Sequence, residues 1–109
     1  MLYTCDLDKL DRLFHPMCHL FTIADGIGQV LSLTAYREVI AKRVSPQNLG
    51  QPREESVIAV FGLSQDIALV RVRIRLGVKV FQDHLNFVRF GSDWKLVTKL
   101  YALERSLDQ

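Results

Sequence analysis

Hydrophobic residues first recur at helical spacing. Leu7, Leu10, Leu13 and Phe14 fall on one side of a short helix that Asp6 can cap, and Pro16 is expected to stop it. Met17 to Ala24 then alternates loosely up to Asp25-Gly26, a turn signal. Gln29 to Leu33 supplies the returning strand of a hairpin. Thr34 is placed to cap a second helix, Ala35 to Val44, whose apolar positions 36, 39, 40 and 44 share a face. Pro46, Asn48, Gly50 and Pro52 mark a surface loop after it.

From Glu55 the period changes to two. Val57 to Leu63 reads as a strand, and Gly62 to Asp66 as a turn. In the next run Ala68, Val70, Val72, Ile74 and Leu76 alternate with Arg71, Arg73 and Arg75, so one face is core and the other carries a ladder of arginines. Read as a solvated outer face, the ladder needs partners for its charges; read functionally, it binds an anion. Gly77 breaks the run, Val78 to Phe90 forms a long strand, Gly91-Ser92-Asp93 turns, and Trp94 to Leu103 returns. The polar tail Glu104 to Gln109 is expected to fray. Helices come first and strands follow, which predicts an α+β fold in which helices cover one face of a curved antiparallel sheet.

At 109 residues the chain reads as a single domain, 1–109, and at 49% hydrophobic and 24% charged its composition is that of a globular protein. The formal net charge of +2 falls short of what a phosphate-neutralising domain carries, so nucleic acid is set aside as a partner. No basic stretch precedes a long apolar run, so neither a signal peptide nor a membrane-spanning helix is expected. Cys5 and Cys18 lack CxxC spacing and read as reduced thiols in a cytoplasmic protein. His15, Cys18 and His19 do not read as a metal site: Cys18 and His19 are neighbours and point to opposite faces of a strand. No cofactor is implied.

Three stretches carry a family resemblance: Leu7 to Pro16 ending in Phe14-His15-Pro16, Phe81-Gln82-Asp83-His84-Leu85, and Asp93-Trp94-Lys95-Leu96-Val97-Thr98-Lys99-Leu100-Tyr101. Together with strand order they resemble the nuclear transport factor 2-like superfamily over nearly the whole chain. The resemblance is to its lumazine-binding and polyketide cyclase-like (SnoaL-like) branches, with ketosteroid isomerase more distant. It implies a cone-shaped sheet wrapped around helices, a cystatin-like roll, and a homodimer formed through the outer faces of the sheets. Members usually begin with a long helix; only Met1 to Cys5 precede the first helix here, so the chain is expected to have that helix shortened or missing.

Period two puts Phe81, Asp83, Leu85 and Phe87 on one face, and Val97, Lys99, Tyr101 and Leu103 on one face of the last strand. If the loop has three residues, with Phe90 opposite Trp94, Asp83 lies across from Tyr101 and diagonal to Lys99; with two residues the faces separate. A buried Asp83 either pairs with Lys99 or takes up a proton. In ketosteroid isomerase, a worked case for carboxyl pKa tuning, a protonated carboxyl beside a tyrosine stabilises an oxyanion, a role the resemblance offers to Asp83 and Tyr101. The corresponding base position falls within Leu20 to Ala24, where Thr22 is the sole polar side chain and too weak a base. His15 and His19 are the titratable candidates nearby, with His15 read equally as a simple partner for a loop carbonyl. Trp94 anchors core or dimer surface, or stacks on a ring. The leading reading is a small-molecule-binding cone that takes an apolar or aromatic ligand. Phe81, Leu85, Phe87, Lys99, Thr22 and Trp94 join Asp83, Tyr101 and His15 around its pocket. The alternatives are an isomerase, cyclase or dehydratase with Asp83 and Tyr101 as enolate stabilisers and His15 as base, and a non-catalytic association module.

Overall fold

The computed structural model describes residues 6–43 and 54–107. Helix α1 (Leu7–Leu13) opens the described chain, its first amides held by the Asp6 carboxylate, which accepts from the Asp8 and Lys9 N–H groups at 2.9 and 3.2 Å. Strand β1 (Phe14–Ala24) follows at once and β2 (Ile27–Ser32) returns antiparallel to it. Asp25 and Gly26 both adopt positive φ between them, the pattern a two-residue Asp-Gly hairpin turn requires. Helix α2 spans Leu33–Lys42. The second half is a meander of β3 (Glu55–Gly62), β4 (Ile67–Leu76), β5 (Lys79–Phe90) and β6 (Asp93–Ser106). The order across the sheet is β2-β1-β6-β5-β4-β3, with β1 and β6 joined in parallel. This is the α+β curved sheet that the alternation of residues predicts.

Several boundaries differ from the sequence reading. Pro16 does not end the first helix; Phe14 already has extended backbone, and Pro16 lies inside β1. Proline disfavours helical backbone at His15, and its missing N–H falls where the β1–β6 ladder breaks register, between Phe14 and His19. Ser32, not Thr34, caps α2, its hydroxyl accepting from the Ala35 N–H, so the helix starts at Leu33. Glu104 and Arg105 do not fray: they belong to β6, and the Leu107 N–H donates to the Val78 carbonyl at 2.6 Å. The expected surface loop through Pro46, Asn48, Gly50 and Pro52, Val44 at the end of the helix, and Cys5 lie outside the described residues.

The core lies between the two helices and the concave face of the sheet, and is built from Leu10, Phe14, Cys18, Leu20, Tyr36, Ile40, Ile74 and Leu96. Burial raises the Cys18 thiol to about 11, so it stays protonated, and it is unpaired. On the convex face two of the arginines are neutralised by carboxylates, Arg73 by Glu104 and Arg75 by Glu54, while Arg71 donates to the uncharged Gln82. One convex row crosses the whole sheet, Val30-Phe21-Leu100-His84-Arg71-Ala59. Its β2-β1-β6 end is apolar and open to solvent, with Val30 58%, Phe21 38% and Leu100 47% exposed.

Candidate functional site

The turn between β5 and β6 holds two residues, Gly91 and Ser92, with Phe90 opposite Asp93 and Gly91 at a φ of 65°. A ladder continued from there would place Leu100 opposite Asp83 and turn Lys99 to the convex face. A bulge intervenes: Phe87 faces Leu96 while Asn86 faces Thr98, leaving Val97 as the extra residue. Beyond it Asp83 lies opposite Tyr101 and Lys99 opposite Leu85, so Asp83 and Lys99 are diagonal neighbours on the concave face. The juxtaposition expected from a three-residue loop is reached through a two-residue loop and one bulged residue.

Asp83 and Lys99 are buried, at 4% and 6% exposure, and their carboxylate oxygen and ammonium nitrogen are 3.2 Å apart. The Lys99 ammonium also donates to the Tyr36 hydroxyl at 3.5 Å and lies 5.3 and 5.6 Å from the ring centres of Tyr36 and Tyr101, where the π faces favour a cation. Burial lifts the Asp83 carboxyl above the usual carboxylate range, with Lys99 opposing. At Lys99 burial works against the charge, but Tyr36 and Asp83 outweigh it and keep the amine protonated. Burial also raises the Tyr36 phenol. Phe81 meets Tyr101 edge-on, with ring centres 6.4 Å apart.

Two cavities meet at this pair. The larger, about 360 Å³, runs between α1 and β3–β5 and is walled by Leu13, Val57, Val72 and Leu85, with Glu55 at its side. The smaller, about 140 Å³, lies under α2 against Tyr36, Val39, Leu76, Phe81 and Tyr101, with Arg43 at its edge. Ile74, Asp83 and Lys99 line both.

Of the residues singled out from the sequence, Asp83, Lys99, Tyr101 and Phe81 come together at the smaller cavity, and Leu85 faces the larger. Phe87 packs against the core. Thr22 donates its hydroxyl to the Tyr101 carbonyl at 2.6 Å. His15 and Trp94 lie elsewhere. The His15 ring stacks on Phe90 at 5.1 Å and its Nδ1 accepts from the Met17 N–H. Phe90 is seven residues along β5 from Asp83, roughly 20 Å of extended chain. Trp94 is at the same end of the sheet, 5.7 Å beneath the Arg89 guanidinium. Tyr36 was not among the candidates, although helical spacing already put it on the core face of α2, where a phenol needs a hydrogen-bond partner. Arg43, outside the periodic positions, carried no signal.

A family model described as "Putative lumazine-binding" matches residues 1–102. A nuclear transport factor 2-like protein of unknown function from Silicibacter pomeroyi superposes with a TM-score of 0.82 at 18% identity, over 94% of this chain and 83% of that one. Another from Shewanella baltica gives 0.82 at 17% identity, over 96% and 83%. A cystatin-like fold protein from Burkholderia xenovorans gives 0.70 at 18%, over 94% and 79%. At these identities the likeness is one of fold. A search of curated proteins finds no match.

Proposed function

The chain belongs to the Putative lumazine-binding family of nuclear transport factor 2-like proteins, and from that premise we propose that it is a homodimeric cone protein binding an apolar or aromatic small molecule on its concave face. What carries the reading is the larger cavity: about 360 Å³, within the range of ligand sites, mostly apolar in its lining, with Glu55, Ser56 and Arg73 on its wall and the buried Asp83–Lys99 pair lining it as well. Asp83 and Lys99 offer an acceptor and a donor side by side, which orients a ligand carrying both on one edge. Dimerisation rests on the exposed apolar end of the convex face around Phe21, Val30 and Leu100. A cytoplasmic setting rests on cysteines without disulfide spacing. No helix among the described residues is long and apolar enough to cross a membrane.

A second reading, an isomerase, cyclase or dehydratase, draws on the adjacency of Asp83 and Tyr101. It requires a base other than His15, whose ring is held at the far end of β5. The ion pair favours binding over oxyanion stabilisation, since Asp83 beside a lysine ammonium accepts rather than donates.

The test is a titration of labelled protein with indole, a neutral aromatic probe, followed by NMR. Shifts at Leu13, Val57 and Leu85 in the wild type, with those at Leu13 and Val57 vanishing in Leu85→Trp, which fills the cavity, support the reading. Resonances there that ignore indole and a panel of neutral aromatics end it. Turnover of a cyclic ketone that Asp83→Asn abolishes would replace it with the enzyme.

A further inference from the structure

We propose that the smaller cavity under α2 is a subsite for a compact organic monoanion, an aromatic or alicyclic carboxylate, with Arg43 as its counter-ion. The inference deepens the small-molecule reading above and rests on it.

Three observations lead there. Tyr36 and Val39, one turn apart on α2, and Arg43, the extended residue that caps the helix, present a phenol, an apolar wall and a guanidinium to the same cavity. The charged groups lining it are two cations, Lys99 and Arg43, against the single carboxylate of Asp83. Asp83 is taken by Lys99 at 3.2 Å, whereas the Arg43 guanidinium has no hydrogen-bond or ion-pair partner among the described residues. The site therefore holds one positive charge in excess beside apolar walls. A cation at the end of a helix is stabilised by the helix dipole, which accounts for an arginine at the end of α2. It does not account for the apolar cup beneath it.

Size sets the ligand. A dry cavity of about 150 Å³ accepts benzene, and the space here is about 140 Å³. One ring packs against Val39, Leu76 and Phe81, and its carboxylate reaches Arg43, whose planar fork suits two carboxylate oxygens.

The experiment compares benzoate with benzyl alcohol, its neutral counterpart, by NMR titration read at Val39, Leu76 and Tyr101. Benzoate is expected to bind at least about tenfold more tightly, the size of one charge-assisted hydrogen bond. The exposed Arg43→Gln, which leaves the core untouched, should remove that advantage and leave benzyl alcohol unchanged. Equal affinity for the two probes, or benzoate binding indifferent to Arg43→Gln, overturns the subsite. Indole in the same samples separates the two failures. Shifts at Leu85 without any preference for benzoate sink the anion subsite alone, and silence at both cavities sinks the ligand-binding reading with it.

Discussion

Asp83 and Lys99 set the largest electrostatic stakes of any residues in the core. Each charge is tolerable because the other is there, so removing one leaves an uncompensated ion in a low-dielectric site. Such a loss costs on the order of 3–5 kcal/mol, whereas replacing both with apolar groups is often neutral. Lys99→Met alone is therefore expected to lower the urea midpoint sharply, and Asp83→Leu combined with Lys99→Met to recover most of it. A double variant no more stable than Lys99→Met would show that the pair is not coupled. Glu104 makes a prediction with a defined pH window. Hydrogen bonds from Arg73 and Gln82 hold its carboxyl down at about 2, below its ordinary 4.5. A depressed carboxyl contributes stability that is present above pH 4.5 and lost as the pH falls toward 2. The difference in thermal midpoint between wild type and Glu104→Gln should shrink across that interval, and a constant difference would sever the link. The ion pair was legible in the sequence as one of two ways Asp83 could be accommodated. Tyr36 was legible only as apolar patterning, because its phenol is recruited by Lys99, sixty-three residues away.

At the scale of elements, alternation located every strand of the meander, since a period of two survives wherever one face is buried. It could not show how those strands match in register. Turn length and bulge position are both invisible to a hydrophobic pattern that repeats every second residue, and here they compensate: the tight turn shifts β6 by one residue and Val97 shifts it back. Deleting Val97, the extra residue, should therefore leave a regular ladder with Thr98 still opposite Asn86 and Lys99 and Tyr101 still on the concave face. Inserting one residue after Thr98 should instead carry Lys99 and Tyr101 to the opposite face. The insertion variant is expected to lose cooperative unfolding by circular dichroism, with Lys99 drawn outward, and the deletion variant to keep it. An insertion variant that retains the wild-type melting transition would mean that the faces of β6 are not fixed by this register. Helix boundaries were read less well than strands for a related reason. A capping hydroxyl acts through backbone geometry, and Ser32 and Thr34 are equivalent as residue types until φ and ψ distinguish them.

For the molecule as a whole, the concave face is occupied by helices and cavities, while the convex face divides between a charged half on β4 and β5 and an apolar end on β2, β1 and β6. Patterning anticipated the arginines but not this division, because the apolar end is assembled from strands far apart in sequence. Phe21→Glu places a charge at its centre, opposite Leu100. In light scattering the wild type is expected at twice the mass of the chain and the variant as a monomer, and a wild-type monomer at all concentrations would rule out the dimer. The parallel junction of β1 with β6 has a further consequence, for the timing of folding. Hairpin neighbours in the meander meet soon after they are made, but β1 lacks its central partner until the last strand has been synthesised. Closing so long a loop is slow compared with zipping a hairpin. On the ribosome, α2 can cover the hydrophobic side of β1 early, but the strand's open hydrogen-bonding edge must wait for β6.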